Sequence, residues 1–109
     1  MNYKDQVAEK LKLFKKEDIS FTTHALVRMR QRQISEEEVV ENLINPVRLQ
    51  YAVKEEAQAA EEEKYACYFG YSPNLCHKYV IIITSSLLIV TVVKINRRWQ
   101  IIAEKKIKR

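Results

Sequence analysis

His24, Arg28 and Arg32 recur at intervals of four residues. At about 100° per residue they share roughly 80° of arc on a helix, beside an apolar stripe of Ala25, Leu26 and Met29. Imidazole is the side chain whose charge changes between about pH 5 and 8, so it can take a proton from a hydroxyl near neutrality. Guanidinium forks hold phosphate oxygens in pairs. Metal-independent RNA cleavage needs a base for the ribose 2′-hydroxyl, cations for the crowded phosphate and an acid for the leaving oxygen. His24 suits the base and Arg28 and Arg32 the cations; His77, Tyr65, Tyr68 or Lys94 could supply the acid. A plainer role is also open to each. His24 can bond backbone in a capping turn, and the two arginines can pair with Glu36, Glu37 or a strand carboxylate to hold helices together.

The elements that must position these residues are legible from period and caps. Tyr3, Val7, Leu11 and Phe14 keep helical spacing over 3–16, which predicts an N-terminal helix within residues 1–18. Thr22 can cap a helix over 22–33, with Phe21 and Leu26 as its hydrophobic staple, and Ser35-Glu36-Glu37-Glu38 is a capping box for a helix over 35–44 ended by Asn45-Pro46. From Val47 the period changes to two. Val47, Leu49, Tyr51 and Val53 predict one strand and Tyr65, Cys67, Phe69 and Tyr71 another. The β-branched runs 76–84 and 87–95 predict a central antiparallel hairpin, and Trp99, Ile101 and Ala103 a last strand, with a helix as the alternative. The expected architecture is α+β, with three N-terminal helices packed on one face of a four- to five-stranded antiparallel sheet.

With 109 residues, 47% hydrophobic and 30% charged, the chain has room for one domain over 1–109 and an ordinary globular balance. Its charge of +5 is unevenly placed. Residues 94–109 carry seven Lys/Arg against Glu104, and 55–63 carry five glutamates with no base, an acidic insertion. The basic end over 96–109, with Lys94, Arg97 and Arg98 leading into it, is a natural footprint for a polyanion or a solvated tail. Cys67 and Cys76 lack metal-ligand spacing, and His77 beside Cys76 points to the other face of a strand, so neither metal nor cofactor is expected. No secretion signal is evident, which predicts reduced thiols and a cytoplasmic protein. Tyr79–Val93 is the longest apolar run; as a helix it would reach about 22 Å, short of a hydrocarbon core of about 30 Å, so no membrane is expected.

His24-Ala25-x-x-Arg28-Met29-x-x-Arg32-x-Ile34-Ser35, followed by an acidic helix ending at Asn45-Pro46, resembles the opening of a widespread prokaryotic domain of unknown function related to RelE, BrnT and barnase-like toxins. Gly70, a strand over Leu75–Ile83 and Thr91-Val92 resemble its second half, so the likeness spans a core of residues 20–95. The resemblance implies a RelE-like fold and an RNA-cleaving toxin or an inactive relative, with RNA and an antitoxin protein as partners. His24, Arg28 and Arg32 carry over by motif as catalytic residues, Thr91 more loosely. Lys94, Arg97 and Arg98 would add contacts to nucleic acid. The competing expectation is a binding module of the same fold that cuts nothing.

Overall fold

The computed structural model describes residues 1–108. Helix α1 (Lys4–Leu11) comes first, followed by a 3₁₀ turn (Lys16–Asp18) and strand β1 (Ile19–Phe21). Helices α2 (Thr23–Arg32) and α3 (Glu36–Ile44) come next, then β2 (Leu49–Glu55), β3 (Glu63–Ser72), β4 (Leu75–Ile83), β5 (Leu87–Ile95) and helix α4 (Gln100–Ile107). The sheet order is β1-β5-β4-β3-β2. The last four strands form an antiparallel meander, as their alternation and turns predict.

The fold class is α+β, but two expectations about its layers need correction. The sheet is mixed: β1 joins it parallel to β5, pairing Ile19 with Leu87 and Phe21 with Ile89. The N-terminal helix is also shorter than expected, because the Lys15 N–H donates to the Asp18 carboxylate at 2.8 Å and turns the chain back toward the sheet. A strand therefore separates α1 from α2. Nor do all the helices share one face. Val7 and Leu11 of α1, Ala25 and Met29 of α2, and Val39 and Leu43 of α3 pack on one side of the sheet with Cys67, Phe69, Tyr79, Ile81 and Ile89. Ala103 of α4 and Trp99 close the other side over Ala66, Tyr68, Cys76 and Val80.

The expected last strand is helix α4 for a reason visible in its burial. Trp99 and Ala103, four residues apart, are buried, whereas Ile101, which strand alternation would bury with them, is 51% exposed. The Trp99 indole donates to the Ser72 carbonyl at 2.8 Å and meets the Tyr51 ring edge-on. The charged end of the chain is thus a packed helix as far as Ile107, while Arg109 lies outside the described residues. A further correction concerns phase. A bulge between Leu49 and Tyr51 puts Ala52 with Leu49 in the helix-covered core, and sends Tyr51 and Val53 to the Trp99 side. The glutamate-rich stretch is the β2–β3 connection, with Glu55 and Glu63 already inside the strands.

Gly70 leaves no room for a side chain beneath the Trp99 closure. A Cβ there would lie 2.7 Å from Trp99 Cζ2 and would also run into the Gln50 amide. Gln50 can swing away; an indole held by its own hydrogen bond cannot. Gly70→Ala should cost about 1–3 kcal/mol through overpacking, read as a lower Tm with a shifted Trp99 emission. An unchanged Tm would contradict this packing.

Candidate functional site

Helix α2 is tied to the sheet by its cap. The Thr22 hydroxyl accepts from the Ala25 N–H at 3.0 Å and donates to the Val90 carbonyl at 2.8 Å, while the Thr22 N–H donates to the Ile89 carbonyl at 3.0 Å. One residue thus ends the β1–β5 pairing and starts the helix. At its other end, Gln33 takes a left-handed conformation (φ 56°), and the Gln33 and Ile34 N–H groups bond back to Arg30 and Met29 in a Schellman closure. The helix is therefore fixed at both ends with Ala25 and Met29 inward.

This geometry puts His24 in the first turn, beside the point where β5 bulges. The β4–β5 register shifts between Val80 and Ile81, so that Val80 faces Thr91 and Ile81 faces Ile89. Bulges re-aim side chains at sheet edges. Here His24 Nε2 and Thr91 Oγ1 lie 3.1 Å apart. His24, Arg28 and Arg32 are all exposed on one flank of α2. The Arg28 guanidinium makes a long 3.4 Å contact to Gln31. The expected pairing of Arg28 and Arg32 with Glu36 or Glu37 is not formed. Among the described residues the ion pairs are Lys10–Glu63 and Lys12–Glu9, both remote from α2. Shallow hollows of about 370 and 350 Å³ open on the opposite flank, around Leu26 and Arg30.

The candidate acids do not converge on His24. The Tyr65 hydroxyl donates to Glu63 at 2.6 Å, Tyr68 is buried on the Trp99 side, and Lys94 pairs across the sheet with His77. Arg97 and Arg98 are exposed in the link from β5 to α4. Both cysteines are buried, on opposite sides of the sheet, and burial pushes Cys76 up to about 12, so these thiols are inert. No group of three potential metal-ligating side chains occurs among the described residues.

A second polar cluster, which sequence reasoning missed, lies under α3. Asn42 donates to the hydroxyls of Tyr71 at 2.8 Å and Tyr79 at 2.9 Å. The Tyr71 hydroxyl donates to Glu38 at 2.8 Å, and Tyr79 Oη lies 2.8 Å from His77 Nδ1. Glu38, the last residue of the capping box, has its N–H on Ser35 as expected, while its carboxylate serves Tyr71. The signal was available. Asn42 is a polar residue on the buried stripe of Val39 and Leu43, and His77 shares its strand parity with Tyr79.

The matched model of a domain of unknown function (DUF4258) covers residues 21–103, so the chain belongs to that family. The match runs past β5 into α4 and so includes the Trp99 closure. No curated protein and no solved structure matches the chain. No helix among the described residues is long and apolar enough to cross a membrane.

Burial pushes the His77 pKa below its ordinary 6.5; Glu38 opposes this shift, while Lys94 and Arg48 add to it. A lowered histidine pKa means that the unfolded chain takes up a proton the folded protein refuses. The contribution is therefore complete above pH 6.5 and is lost as pH falls toward the folded value. Glu63, lowered mainly by the Tyr65 hydrogen bond, acts in a separate window below 4.5. Tm should fall between about pH 7 and 5.5. In His77→Gln, whose amide oxygen can still accept from Tyr79, that slope should flatten. An equal slope in the variant would contradict the assignment.

Proposed function

We propose that this domain is a RelE-like toxin that cleaves RNA without a metal, in the cytoplasm, using the exposed edge of α2 and the bulged strand β5. The observation that carries this reading is the 3.1 Å approach of His24 to Thr91, beside two arginines that form no ion pair among the described residues. Neutral His24 takes the 2′-hydroxyl proton as the 2′-oxygen attacks phosphorus. The bond from phosphorus to the 5′-oxygen breaks, and that oxygen is protonated by solvent or by the imidazolium just formed. Thr91 orients the ring, and Arg28 and Arg32 hold the non-bridging phosphate oxygens as their charge grows. Lys94, Arg97 and Arg98 extend the positive surface along the polynucleotide. The resemblance of the His24–Ser35 motif to RelE-type toxins further suggests an antitoxin protein as partner.

A second reading, a nucleic-acid- or protein-binding module that cuts nothing, is favoured by one observation. The hollows beside α2 lie on the Leu26 and Arg30 flank, and the His24 edge is open surface.

Incubation with single-stranded RNA in EDTA separates the two. Cleavage should leave 2′,3′-cyclic phosphate ends and spare the matching DNA. His24→Ala should lower the rate by about 10²–10⁴-fold at unchanged Tm. Arg28→Ala or Arg32→Ala should weaken binding and reduce the salt slope by about one. Intact RNA with a steep salt slope would establish the binding module, and equal cleavage by His24→Ala would remove His24 as the base.

A further inference from the structure

The cluster under α3 does more than hold a helix, because its hydrogens can be counted. Asn42 spends both amide hydrogens, one on each phenol. The Tyr71 proton goes to the Glu38 carboxylate. Reversing the Asn42 amide would put Tyr71 against two acceptors with a single proton between them. The remaining proton of Tyr79 must therefore go to His77 Nδ1, 2.8 Å away. The neutral imidazole then carries its own proton on Nε2. Burial keeps both phenols protonated, since it raises the pKa of Tyr71 and Tyr79 alike.

His77 Nε2 has no partner among the described residues, although the residue is only 3% exposed. No fully enclosed polar side-chain atom of the described residues lacks a partner, so this N–H must open onto the surface. Two cations lie near the His77 ring. Lys94 lies directly across on β5 and joins neither of the ion pairs among the described residues. The Arg48 guanidinium stacks 4.2 Å above the Tyr71 ring, whose centroid is 4.5 Å from that of His77. Apart from a 3.4 Å contact to the Gly70 carbonyl, the Arg48 donors have no partner among the described residues. The only carboxylate in the cluster, Glu38, is engaged by Tyr71.

We propose that His77 Nε2, Lys94 and Arg48 form a second anion site, taking a phosphate group at the α3 end of the sheet. A fixed neutral N–H supplies direction, and an ammonium and a planar fork supply charge, which suits a tetrahedral oxyanion. The site is distinct from the His24 edge and does not depend on RNA being cleaved. Lys94 stands three residues along β5 from Thr91, an odd spacing that puts the two side chains on opposite faces of the strand, so free phosphate can fill one site alone.

Histidine-ring nitrogen NMR on the full chain tests the proposal. The free protein should show His77 as the Nε2–H tautomer. Inorganic phosphate should then shift its Nε2 signal saturably, with at least tenfold weaker binding in Lys94→Met and in Arg48→Met. Both are replacements of solvent-reaching residues that leave the buried network whole. The shift should persist in His24→Ala, which separates this site from the cleavage reading. An all-deoxy oligonucleotide that shifts Nε2 at lower concentration than phosphate would assign the site to the nucleic-acid backbone; equal potency per phosphate would assign it to the free anion. An Nδ1–H tautomer, or a His77 signal unmoved by both probes, would overturn the proposal.

Discussion

The hydroxyl of Thr22 joins the two halves of this molecule. It ends a parallel strand pair, caps a helix and grips the neighbouring strand, with its donor and its acceptor both spent. A cap of this kind contributes about 1 kcal/mol to helix stability. Its greater effect is positional. The first turn of α2 is clamped to β5 beside the bulge, so His24 meets Thr91 across 67 residues of sequence. A serine could keep both bonds; a valine, though of similar shape, would lose both and leave the start of the helix free to shift.

A basic helix edge is affordable here because the core asks so little of α2. The helix contributes only Ala25 and Met29 to burial, and the mass of the interior comes from β3 and β4, which are covered on both faces. Much of the surface of α2 can therefore be charged without loss of packing. The opposite economy operates under α3, where Asn42 takes a core position. A buried polar network is tolerated when its members are paired, and here the Asn42 amide hydrogens, both phenols, the Glu38 carboxylate and His77 Nδ1 are bonded to one another.

Features encoded by neighbours were legible in the sequence. The caps at Thr22 and Ser35, the boundaries of α2 and α3, and the β4–β5 hairpin all follow from spacing within a few residues. Features decided by distant partners were not. The parallel docking of β1 is three residues long, too short for alternation to register, and it exists because β5 offers an edge. The phase of β2 is not legible in the sequence, because a bulge leaves no mark in a run of alternating residues. The chain after Ile95 was ambiguous until Trp99 found its slot beside Gly70. His24, Arg28 and Arg32 could be placed on one flank from spacing alone, but Thr91 as the partner of His24 required the folded sheet. The unneutralised state of the arginines likewise depends on where Glu36 and Glu37 do not reach.

The central claim is that the edge of α2 and the bulge of β5 form a single phosphate-contacting surface. Amide and side-chain NMR shifts on adding an uncleavable single-stranded oligonucleotide, with 2′-deoxy sugars throughout, measure this most directly. The account predicts that the largest changes centre on His24, Arg28, Arg32 and Thr91. Changes confined to Arg97, Arg98 and α4, with His24 and Thr91 unmoved, would contradict it.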